Sequence, residues 1–148
     1  MTETSTDGIT IERDFAASPE AVFTAWTTPA HFARWFGGKD VQVPLDSLNF
    51  VAVAGNAWTA QMVLPDGNTI DWAGEFVEVS PHARLVFTIT DRPSDPVRAT
   101  VVVEFTAIAG GTRMHFTQET PGFTAEQQAG LIAGWQGFMD ELELIATA

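Results

Sequence analysis

Few side chains in this chain are of the types that carry covalent or acid–base chemistry, and their spacing does not assemble a reactive centre. Cysteine is absent, which removes a thiolate nucleophile, a disulfide framework and a cysteine-ligated zinc site. Ser5, Ser18, Ser47, Ser80 and Ser94 lie outside any nucleophile-elbow motif, and Ser18 stands where a helix cap is needed. His31, His82 and His115 are widely separated and form no helix-borne pair, so each reads as a solvent-facing imidazole and no metal is expected. Asp140, Glu141 and Glu143 could offer a general base, but beside Phe138 and Leu142 they read as a solvated helix face. Asp71, Glu75 and Glu78 read as outward or rim positions. No residue is assigned a catalytic role and no cofactor is expected. What remains is shape and apolar surface: eleven phenylalanines, five tryptophans and no tyrosine, aromatic bulk with no hydroxyl to satisfy.

The elements that must position this surface are legible from periodicity. Ile9, Ile11 and Phe15 alternate with polar neighbours over about Ile9 to Ala16, which predicts a half-buried strand. Ser18-Pro19 and Thr28-Pro29 are cap and first-turn pairs of two short helices, the first carrying Val22, Phe23 and Trp26, the second Phe32, Trp35 and Phe36 before Gly37-Gly38. The period then changes to two, with strands predicted near Val41–Val43, Leu48–Ala54, Ala57–Leu64, Thr69–Val79, Arg84–Thr90, Val97–Ala107 and Thr112–Glu119. Pro65-Asp66-Gly67 and Gly110-Gly111 supply tight hairpins; Pro81-His82 and Asp91–Pro96 read as looser connections. Successive hairpins make an antiparallel meander, and the class is α+β. Residues 1–8 read as a disordered tail and residues 9–148 as one domain, a size that suits a single core.

Thr124-Ala125-Glu126-Gln127 has capping-box form and opens a last helix. Leu131, Trp135, Phe138, Leu142 and Ile145 give that helix one apolar stripe, and a run to Ala146 would be about 33 Å long, enough to cross the meander. Gly130, Gly134 and Gly137 lie beside the stripe, each costing about 1 kcal/mol relative to alanine in a helix interior. Two explanations stand equally: close contact between helix and sheet, or headroom for a ligand. Strand parity points Trp58 and Met62, Ile70 and Trp72, Leu85 and Phe87, Val103 and Phe105, and Phe116 and Gln118 inward, opposite Trp135, Phe138 and Met139. A pocket between sheet and helix, with Gln118 as its one polar group, is the expectation.

Charge narrows the partners. Nineteen acidic against seven basic side chains leave a formal charge of -12, which repels phosphate backbones and anionic lipid. Nucleic acid and membrane are not expected partners, and the polar, acidic opening with no long apolar run makes a cytoplasmic location the default.

Several separated segments resemble one family. Ile11 to Phe23 is similar to its opening, and Trp35-Phe36-Gly37 to the end of its second helix. Met62 before Asp66-Gly67, Gly74 to Val79 with Pro81 and Arg84 to Phe87, Gly111-Thr112, and Gly134-Trp135 follow in its order. Together they resemble the activator-of-Hsp90-ATPase-like branch of the START/Bet v 1 superfamily. The resemblance implies a helix-grip fold: a curved antiparallel sheet of about six to seven strands wrapped around a long C-terminal helix, with two short helices after the first strand. It also implies a cavity between sheet and helix, for which the candidate lining residues are Trp35, Trp58, Met62, Trp72, Phe87, Phe105, Phe116, Gln118, Trp135, Phe138 and Met139. Two stretches depart from the family pattern. Val51 to Asn56 replaces an aspartate and arginine followed by paired glycines, and Gln118 stands where a histidine is common, so an uncharged ligand environment is implied.

The superfamily hosts many activities on one fold. The first expectation is binding of a small hydrophobic or aromatic molecule, for carriage, sensing or storage. A cyclase or dehydratase on the same pocket, working by cavity shape and one polar residue or a water, is an alternative. A co-chaperone or other protein-interaction module is the third. Within it Hsp90 is disfavoured, because 148 residues leave no room for the extra N-terminal domain of full co-chaperones. Homodimer pairing through exposed edge strands is open.

Overall fold

In the computed structural model, residues 8–148 are described. Of the tail expected over residues 1–8, residues 1–7 therefore lie outside the described residues and Gly8 is the first residue of a strand. The elements run β1 (Gly8–Phe15), α1 (Pro19–Thr27), α2 (Pro29–Trp35), β2 (Ala57–Val63), β3 (Thr69–Ser80), β4 (Arg84–Ile89), β5 (Ala99–Ile108), β6 (Gly111–Glu119) and α3 (Ala125–Ala146). The six strands form one antiparallel sheet in the order β1-β6-β5-β4-β3-β2. All three helices lie over one face of it, and α3 packs on α1, α2 and β1.

Local chemistry explains the boundaries. Ser18 accepts the Ala21 amide at 3.1 Å at the start of α1. Thr28 also stands at a helix N-cap, but its side chain makes no capping bond, and its backbone amide closes the last turn of α1 on Thr24. The capping box of α3 is complete: Thr124 Oγ1 accepts the Gln127 amide at 3.1 Å and Gln127 Oε1 accepts the Thr124 amide at 2.9 Å. Gly67 turns the β2–β3 hairpin at φ +89°, in the left-handed region that favours glycine. Gly74 serves a different need. A Cβ there would sit 1.8 Å from the Thr88 carbonyl oxygen and 2.6 Å from the Trp58 indole nitrogen, and its absence lets that indole donate to the same carbonyl at 3.0 Å.

Two predicted strands are corrected. Val41–Val43 and Leu48–Ala54 contribute only single bridges, Gln42 to Val63 and Asn49 to Thr59. Pro44 has no amide to donate, a 3-10 turn follows at Leu45–Ser47, and Gly55 has φ +96°, so neither segment stays extended long enough to build a ladder.

The interior is a lattice of rings. Trp26 packs edge-on to Trp35 at 4.8 Å and stacks on Trp135 at 6.1 Å; Phe32 stacks on Phe50 at 4.3 Å; Phe116 meets Trp135 at 4.7 Å. These spacings are those of favourable aromatic pairs. Two of the buried indoles find acceptors within the helical layer and on β6: Trp35 donates to the Ala25 carbonyl at 2.8 Å and Trp26 to the Met114 sulfur at 3.3 Å.

Candidate functional site

Two spaces among the described residues differ greatly in size. Deep between sheet and helices, Trp26, Phe32, Phe50, Trp58, Phe76, Leu85 and Phe87 enclose a void of about 10 Å³. That is at most the room of one water, with no polar lining to hold it, so the deep core is filled by its own side chains. At the open end, where α3 begins, a cleft of about 520 Å³ lies between α3, the end of β6, Trp72 of β3 and the connection from β4 to β5. This falls in the range of small-molecule sites.

The helix forms its wall by spacing. Gln127, Gly130, Leu131, Gly134, Trp135 and Phe138 all line the cleft, a single face at intervals of three and four. A Cβ added at Gly130, Gly134 or Gly137 would meet nothing within 4 Å. The glycines therefore do not serve close packing of helix on sheet, and Gly130 and Gly134 leave the cleft open. The rest of α3 is held firmly. Arg13, on the inner face of β1, donates to Gln136 Oε1 at 2.9 Å, Asp140 Oδ1 at 2.7 Å and Glu143 Oε1 at 2.8 Å. Burial works to lower the Arg13 pKa, but the hydrogen bonds and charges of Glu143 and Asp140 together raise it above the usual guanidinium value. Two carboxylates that read as a solvated helix face are thus the anchor of α3.

Gln118 is the buried polar group of the cleft, 9% exposed. Its Oε1 accepts the Trp135 indole N–H at 2.8 Å. Across the cleft, half-buried Trp72 lies edge-on to Phe36 at 5.5 Å, and its indole N–H is sealed from solvent without an acceptor. Two of the three acidic groups lining the cleft brace loops: Glu119 Oε1 accepts the Thr100 amide and Asp95 Oδ1 the Val97 amide, each at 2.9 Å, while the third, Asp91, is exposed. Arg98 folds back on the carbonyls of Pro93, Asp95 and Val97, while the Arg92 side chain has no ion-pair partner among the described residues.

Residues 16–147 match the family described as activator of Hsp90 ATPase homolog 1-like protein. The chain belongs to this family. It lies within the SRPBCC superfamily. Solved structures agree on the helix-grip fold. An AHSA1-like protein of Aeromonas hydrophila is 29% identical, with a TM-score of 0.79 over 95% of this chain and 92% of that one. A Nitrosomonas europaea protein is 24% identical, with a TM-score of 0.84 over 97% and 96%. A Chromobacterium violaceum protein is 20% identical, with a TM-score of 0.83 over 95% and 98%. A comparison with curated proteins gives no match.

In this member of the activator of Hsp90 ATPase homolog 1-like family, the residues read from sequence as cavity lining separate into three groups. Trp72, Gln118, Trp135 and Phe138 line the open cleft. Trp58 and Phe87 border the small internal void. Trp35, Met62, Phe105, Phe116 and Met139 are buried in the core and border neither space. Cleft residues absent from the sequence reading include Phe36, Leu131, Val97 and the arginines of the β4–β5 connection. Pairing offers a signal for that connection. In a meander the end of β4, the start of β5 and the end of β6 share one edge, as the pairings Ile89 to Ala99 and Val101 to Gln118 attest, so residues 91–98 must lie near Gln118.

The histidines do not converge. His82 lies edge-on to Phe23 at 5.6 Å and His115 faces Glu12 at 3.6 Å. His31 is half-buried, its Nδ1 sealed from solvent and unpartnered, rather than solvent-facing. Among the described residues no group of three His, Asp or Glu side chains is placed to hold a metal ion. No helix among them is long and apolar enough to cross a membrane.

Proposed function

We propose that this protein binds a small hydrophobic or aromatic molecule in the cleft beneath the first half of α3, in a carrier, sensor or storage role. One observation carries the reading: about 520 Å³ of space walled by Phe36, Trp72, Trp135 and Phe138 stands beside a core that is otherwise filled. Large aromatics that could have closed this space instead border it, opposite glycines that leave it open. Burial of flat apolar surface there, at roughly 25 cal/mol per Å², gives the driving force.

Binding is favoured over catalysis because, of the three carboxylates lining the cleft, Glu119 and Asp95 are engaged with backbone amides and only Asp91 is not, leaving no free carboxylate pair poised for proton transfer. A cyclase or dehydratase remains the alternative use of the same cleft. The family description supplies no support for Hsp90 as this chain's partner beyond the name. Trp-fluorescence titration and native mass spectrometry against a panel of aromatic metabolites and fatty acids test the proposal. Saturable one-to-one binding that is lost in Gly134→Trp, which fills the cleft, is the expected result. Absence of saturable binding across the panel sinks it.

A further inference from the structure

We infer that the cleft selects an aromatic molecule carrying a neutral carbonyl oxygen, and that Gln118 reads this oxygen by donating to it. The inference rests on the binding function proposed above and specifies its ligand.

The orientation of the Gln118 amide is fixed by chemistry. An indole N–H is a donor only, so the group 2.8 Å from Trp135 Nε1 must be the amide oxygen. The two amide N–H donors are then at the other end. They have no partner among the described residues, and the nitrogen is not among the sealed, unpartnered atoms, which are His31 Nδ1 and Trp72 Nε1. A side chain nine-tenths buried therefore leaves two donors open to the cleft it lines. Glutamine can ordinarily present either end of its amide; here the bond from Trp135 engages the oxygen end and leaves the NH2 end unpartnered.

The rest of the wall is mixed in sign: Asp91, Asp95 and Glu119 line it together with Arg92 and Arg98. The Trp72 ring lines the opposite side, its indole N–H sealed away from the open space and without an acceptor. Arg92 lines the same space with no ion-pair partner among the described residues. Among rim charges of both signs, the inner wall therefore offers a guest the Gln118 donors, beside aromatic faces that stack on a flat ring. A hydrocarbon of the same shape would leave the Gln118 donors dry and unpaired, the kind of loss that yields strong discrimination.

A matched pair of neutral probes isolates the effect. 2-Acetylnaphthalene and 2-ethylnaphthalene have the same ring and nearly the same size, and only the first has an acceptor. Calorimetric or Trp-quenching titration of the full chain should give at least about tenfold tighter binding of the acetyl probe. Gln118→Glu keeps an oxygen for Trp135 while losing both donors, and Gln118→Met removes the donors without adding charge. In either variant the ratio of the two affinities should fall to about one; circular dichroism verifies that each is folded. Equal affinity of the two probes in the unmodified protein overturns the inference and leaves the binding function standing, as does a preference that survives a folded Gln118 variant. Failure of both probes to saturate overturns the aromatic binding function and this inference with it.

Discussion

At the scale of single residues, two contacts do different work on the same helix. Trp135 donates to Gln118 inside the molecule. Trp135→Phe keeps the ring but leaves a buried amide oxygen unpaired, and urea denaturation should register a loss of about 1–3 kcal/mol. Arg13 holds α3 from β1 through Gln136, Asp140 and Glu143. Arg13→Met preserves much of the stem while deleting charge-assisted bonds, and a destabilisation of about 1–3 kcal/mol is expected. Affinity of a bound aromatic probe should change little, because Arg13 does not line the cleft. A variant as stable as the parent would remove Arg13 as the anchor. Nothing in the sequence pairs Arg13 with Asp140 across 127 positions; parity places Arg13 on the inner face with Ile9, Ile11 and Phe15, but which acids meet it depends on where α3 docks.

Among the elements, the glycines separate two structural roles that composition does not distinguish. Gly74 lies where β3 meets β4 and a side chain would strike the Thr88 carbonyl. Gly74→Ala should therefore lose about 1–3 kcal/mol, the usual cost of forcing atoms into a packed place. Gly134 faces open space, so Gly134→Ala should gain about 0.5–1 kcal/mol from helix propensity. Thermal denaturation of the pair checks both signs; a destabilising Gly134→Ala would mean the helix sits closer to the sheet than described. Sequence made the helix, its capping box, its stripe and six strands readable, because each is a local period or a local cap. It did not distinguish core aromatics from cleft aromatics. Trp58, Trp72, Phe116 and Gln118 share one inward parity, and only sheet curvature and the tilt of α3 decide that Trp72 and Gln118 border open space while Phe116 is enclosed.

For the whole molecule, the formal charge of -12 means that acids repel one another over much of the surface, and moderate salt should raise stability by screening them. One exposed pair runs against that trend. Hydrogen bonding to Arg113, with its charge, lowers the Asp14 pKa below the usual aspartate value and ties β1 to β6. A carboxyl with a folded pKa below its unfolded one contributes stability above the unfolded value, about 3.9, and loses it as pH falls through the folded one. Asp14→Asn should therefore flatten stability against pH below about pH 4 and leave the curve above pH 5 parallel to the parent; chemical denaturation across that range reads it.

The central claim is that a guest enters at the open end of α3 and leaves the deep core undisturbed. The five indole N–H resonances test it in one titration of 15N-labelled protein with 2-acetylnaphthalene. Trp72 and Trp135 line the cleft, whereas Trp26, Trp35 and Trp58 are packed within the core. The largest shifts are expected at Trp72 and Trp135, saturating together. Saturating shifts that are largest at Trp35 and Trp58 would contradict the account, because the guest would then lie in a core described as filled.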